Sequence, residues 1–77
     1  MPFIRARVAS IEPHGSEMTK VVLRYALVSI DPKQKLTVTP KLFEQEEEPR
    51  PYADRIEFYG KGKPLVNVGD TVKIAFT

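Results

Sequence analysis

The chain has 77 residues, of which 42% are hydrophobic and 29% charged, the balance of a folded protein and not of a disordered or collagen-like one. Its length limits it to one domain with one small core, because a second core would not offset the entropy of ordering its own residues. The net charge of +2 conceals an uneven distribution: four of the ten acids stand together in EQEEE (Glu44, Glu46, Glu47, Glu48), leaving twelve bases against six acids elsewhere. The absence of cysteine excludes disulfides, thiolate nucleophiles, iron-sulfur clusters and thiolate zinc sites. It also fits a reducing compartment, so a cytoplasmic protein is expected. No run of about 18 apolar residues occurs, and MPFIRARVAS lacks the apolar segment of a signal peptide, so neither membrane insertion nor export is expected.

The first segment, FIRARVASIE, alternates. Ile4, Ala6 and Val8 share one face, and Arg5 and Arg7 share the other with Phe3 beside them, which predicts a half-buried strand. PHGSE follows as a loop, since Pro13 lacks a donor and Gly15 is free to take positive φ. TKVVLRYALVSI is apolar on both faces, with Val21, Leu23, Tyr25 and Leu27 on one and Val22, Arg24, Ala26 and Val28 on the other. That pattern predicts a central or strongly curved strand.

DPKQ reads as a tight turn. KLTVTPKLF then places Leu36, Val38 and Leu42 opposite Thr37, Thr39 and Lys41, and Pro40 requires an edge position or a bend. EQEEEPRPYAD breaks the alternation. Pro49 and Pro51 limit it to an exposed connection with at most one helical turn near residues 44–48. RIEFYG resumes the pattern, with Ile56 and Phe58 inward and Arg55, Glu57 and Tyr59 outward. The remainder reads as a loop at KGKP, a short extended LVNV, a turn at Gly69 and Asp70, and a last strand with Val72, Ile74 and Phe76 inward.

Five or six short strands with one acidic connection predict an all-β fold, a small antiparallel barrel. The order of elements resembles the oligonucleotide-binding (OB) barrel, and an SH3-like barrel is the alternative. Such barrels host many unrelated functions, so function must be argued from the site.

The residues point away from catalysis. His14 is the one histidine, so neither a metal cluster nor a serine triad is implied, and no cofactor is expected. GKGK (Gly60 to Lys63) lacks the spacing and following helix of a phosphate-binding P-loop and reads as a mobile basic hairpin tip. What stands out is the set of outward cations and rings: Arg5, Arg7, Arg24, Arg55, Tyr59, Lys61 and Lys63. If they converge, they form a surface on which bases stack and cations follow phosphates, the chemistry of single-stranded DNA or RNA binding. The alternative is a protein-protein interaction or assembly module, a homo-oligomer or part of a larger complex. It would use an exposed strand edge and the acidic residues Glu44, Glu46, Glu47 and Glu48.

Overall fold

The computed structural model describes residues 3–25, 33–47 and 49–76. These form the strands β1 (Phe3–His14), β2 (Met18–Arg24), β3 (Leu36–Thr39), β4 (Arg50–Pro51), β5 (Arg55–Lys61) and β6 (Thr71–Phe76). They make one 6-stranded sheet in the order β3-β6-β1-β2-β5-β4, antiparallel throughout and curled into a half-barrel. The expected all-β, small-barrel architecture is therefore present. Residues 26–30 of the long apolar segment, the start of the DPKQ turn and Glu48 lie outside the described residues. Among the described residues no helix is long and apolar enough to cross a membrane.

Alternation decides the faces of β1, where Ala6 and Val8 are buried, Ile4 packs beside them, and Arg5 and Arg7 are exposed. A bulge then interrupts the pairing with β2 between Val8 and Ser10. The extra residue shifts the phase, so Ile11 returns to the core and Glu12 and His14 face outward. Pro13 and His14 do not form the expected loop. They belong to β1, opposite Thr19 and Met18, and the turn is Gly15 to Glu17, with Gly15 at φ 77°. The reason is the edge. Among the described residues, partners from β6 reach β1 between Phe3 and Arg7 and not beyond, so a proline farther along has a side without ladder partners on which to place its missing donor.

The doubly apolar second segment is central, as its pattern predicts: β2 lies between β1 and β5, with Val21 and Leu23 in the core and Val22 buried on the opposite face. β3 is an edge strand that ends at Thr39, immediately before Pro40. Val72, Ile74 and Phe76 of β6 face the core. The turn before β6 is fixed by Asp70, whose Oδ2 accepts from Asn67 N at 2.8 Å, and by Gly69 at φ 94°. Two backbone bonds dock this turn on β1, from Val8 N to Asp70 O and from Gly69 N to Val8 O, both 2.9 Å. LVNV is not extended; it bends so that Val66 enters the core.

The acidic connection carries no helical turn among its described residues. It runs along the outer edge of β5, where Glu46 bridges Gly60, Glu47 N donates to Tyr59 O at 2.8 Å, and Lys61 N donates to Gln45 O at 3.2 Å. β4 continues that cover, Arg50 opposite Glu57 and Pro51 opposite Ile56. The anchor is Phe43. Its ring is fully buried on Gly60, where an added Cβ would fall 2.2 Å from Cγ. Gly60 therefore belongs to the core, and the GKGK segment is not a uniformly mobile tip. Beyond it Gly62, at φ 76°, accepts a 2.9 Å bond from Thr19 Oγ1 that ties the loop to the first hairpin.

Overpacking of this kind costs about 1–3 kcal/mol, so Gly60→Ala is expected to lower the urea midpoint by that equivalent. Phe43→Ala should cost about 3–5 kcal/mol. In the double variant the added methyl has no ring to strike, so the two losses should fall well short of additive. Strict additivity would show that the ring and the glycine are not partners.

Candidate nucleic-acid interface

Residues directly opposite in an antiparallel ladder share a face, so the register shows which outward side chains meet. Arg7 of β1 is opposite Arg24 of β2, and Arg24 is opposite Arg55 of β5. Three arginines thus occupy one rung, spanning about 10 Å at two strand spacings. One rung further out Arg5 is opposite Lys73 of β6, and Lys73 is opposite Thr39 of β3. The next rung holds Phe3, Ala75 and Thr37. Arg5, Arg7, Arg24 and Arg55 therefore share the outer face of the half-barrel.

Lys61 and Lys63 do not join them. Arg55 and Lys61 are the two ends of β5, about 20 Å apart at the rise of an extended strand, and Lys63 lies in the turn beyond. Both lysines are exposed. The expectation that one loop and one sheet face converge holds for the arginines alone, because β5 runs away from them.

The outer face divides into two halves. On β2 and β5 the cations Lys20, Arg24 and Arg55 are internally compensated. Asp54 reaches Arg24 NH1 through Oδ2 at 3.3 Å and Arg55 NH1 through Oδ1 at 3.2 Å, and Arg55 Nε also donates to Glu57 Oε2 at 3.3 Å. Lys20 pairs with Glu12 at 3.2 Å. The Arg55 guanidinium lies 4.2 Å from the centre of the Tyr52 ring. Tyr25 holds this corner by donating its hydroxyl to Tyr52 O, and burial followed by the nearby Asp54 charge raises its pKa.

Tyr59, expected as an outward stacking ring, is 4% exposed. It faces outward, but His14 covers it at 4.7 Å between ring centres and the Arg50 guanidinium lies 4.8 Å from its centre. Its hydroxyl donates to Glu57 Oε1 at 2.8 Å. Sequence alternation identifies its face correctly, but the residues that cover it come from β1 and β4.

On β1, β3 and β6 the outer face is open. Arg5, Arg7 and Lys73 are exposed and, among the described residues, form no ion pair. Phe3 is 49% exposed, with Lys73 Nζ 4.6 Å from its ring centre. Lys73 was available to sequence reasoning, since it stands between inward Val72 and Ile74; what the pattern lacks is its partner across the ladder. The acidic residues lie elsewhere, along β5. Glu44, Glu46 and Glu47 are exposed, Glu44 sits 3.9 Å from Lys41, and Glu46 Oε1 accepts from Phe43 N at 3.3 Å.

The class defined by these features is an antiparallel half-barrel with a basic outer face. No protein-family model, curated protein or solved structure matches the chain.

Glu57 lies below its ordinary value of 4.5, first because the Tyr59 hydroxyl donates to it and, against its partial burial, because Arg55 also donates. Tyr59 is raised above 10.0 by the same bond, with burial adding to it. A depressed carboxylate contributes stability above its unfolded value and loses it as pH falls through the folded one. Glu57→Gln should therefore be less stable than the parent near neutrality, and the gap in urea midpoint should close as pH falls below 4.5. A gap independent of pH would remove the charge from this account. The raised Tyr59 has the opposite sign: its contribution is lost above 10.0, a limb that Tyr59→Phe should reduce, leaving the part that the raised Tyr25 supplies.

Proposed function

We propose that the chain is a non-catalytic binder of single-stranded DNA or RNA, which lies across the outer face of the half-barrel. The observation that carries this reading is the register: Arg7, Arg24 and Arg55 stand on one rung, with Arg5 and Lys73 on the next. Like charges directly opposite in a sheet are unfavourable; Asp54 and Glu57 pair with Arg24 and Arg55, and a polyanion supplies the counter-charge that Arg5, Arg7 and Lys73 lack among the described residues. Exposed Phe3 adds a ring on which a base can stack. The cytoplasm is the compartment that the cysteine-free sequence suits.

A second reading, assembly with a protein partner or another copy, rests on the edge of β3, unpaired among the described residues, and on exposed Glu44, Glu46 and Glu47. A mass that rises with concentration in light scattering would favour it.

The first reading is tested by fluorescence anisotropy with labelled single-stranded oligonucleotides and a matched duplex at low salt. Expected are dissociation constants on the order of 10⁻⁴ to 10⁻⁶ M at physiological salt and tighter ones at low salt, with the single strand bound more tightly than the duplex. Arg7→Glu should abolish measurable binding. Absence of binding at low salt, or binding indifferent to salt, would discard the reading.

A further inference from the structure

The outer face is not one binding surface but two unequal halves, and we infer that the nucleic-acid strand is held by the half built from β1, β3 and β6, with Phe3 as its stacking platform and Arg5, Arg7 and Lys73 as its phosphate contacts. This rests on the reading above and narrows it to one site.

The first observation is charge balance. Arg24 and Arg55 share Asp54, Arg55 also holds Glu57, and Lys20 holds Glu12, so a phosphate arriving there competes with carboxylates already in place. Among the described residues, Arg5 and Lys73 face each other without forming an ion pair, and Arg7 faces Arg24 while forming no ion pair of its own. Like charges directly opposite oppose folding, and the ladder holds them there on two successive rungs. An external anion relieves that repulsion where an internal one does not.

The second observation is access. Tyr59, on the compensated half, is covered by His14 and Arg50, whereas Phe3 is 49% exposed. Lys73 Nζ lies over the Phe3 ring, 4.6 Å from its centre, and its flexible stem lets the ammonium move aside to a phosphate when a base stacks there. Thr37 and Thr39 of β3 are exposed on the same face, opposite Ala75 and Lys73, and their hydroxyls can bond to bases or sugars. A ring bordered by cations and hydroxyls takes a single strand; a duplex keeps its base faces stacked.

The full-length chain is titrated with labelled oligo(dT) and oligo(U) in anisotropy across a salt series. Three phosphate contacts predict a slope of log affinity against log salt of roughly −2, from about −0.7 per phosphate on single strands. Arg5→Gln with Lys73→Gln should weaken binding of both probes and reduce the slope by about 1.4. The urea midpoint of that double variant should match or exceed the parent's, because a like-charge pair is gone. Phe3→Ala should weaken binding about tenfold with the slope unchanged, as loss of one stacked base does. Lys20→Gln on the compensated half should stay within about twofold of the parent, since Lys20 is already paired with Glu12.

A parent protein that binds neither probe overturns the proposed function itself. Binding lost with Lys20 and retained without Arg5 and Lys73 overturns only the choice of half. A Phe3→Ala protein that binds as the parent does removes the stacking platform.

Discussion

The Phe43 ring lies against Gly60 with no room for a side chain between them. That contact brings the segment after β3 back across the sheet and seats it along β5. From there the chain can bond its backbone to Tyr59 and Lys61, lay β4 beside Glu57 and Ile56, and close the outer edge of β5. Leu42, beside Phe43, accepts from Leu65 N at 2.7 Å, so the loop before β6 is held by the same region. With neither disulfides nor helices among the described residues to brace the sheet, a buried ring on a bare backbone does the work of a staple. The glycine is needed as absent volume and not as conformational freedom.

Much of the fold was legible in the sequence because strands with one face in the core declare themselves by alternation. Ala6 and Val8, Ile56 and Phe58, and Val72 and Ile74 all face inward as the pattern requires, and the two apolar faces of Val21, Val22 and Leu23 correctly mark a central strand. The misreadings have local causes. Pro13 and His14 look like loop residues by type, yet a strand with an unpaired side tolerates them. The glutamates look helical or loose, yet the adjoining Phe43 seats Glu46 and Glu47 beside β5.

The site was legible one residue at a time but not as an arrangement. Alternation points Arg5, Arg7, Arg24 and Arg55 to solvent, but only the pairing of β1 with β2 and β6, and of β2 with β5, sets them on neighbouring rungs. Likewise, nothing local in Tyr59 reveals that His14 and Arg50 will cover it, since those residues arrive from different strands. Charge compensation is equally non-local: Asp54, in the β4–β5 turn, neutralises an arginine on β2. Counting bases therefore overstates the number available to a ligand, and the structure separates the compensated cations from the rest.

The bulge after Val8 divides β1 in a way that bears on both halves. Before it, the odd-numbered residues reach solvent; after it, the even-numbered ones do, which puts Glu12 and His14 outside and returns Ile11 to the core. One strand thus writes in two reading phases. The first displays arginines without an acid beside them, and the second displays Glu12, which neutralises Lys20. A uniform strand would have put Glu12 into the core and Ile11 into water; the single extra residue lets one continuous segment border two surfaces of different electrostatic character.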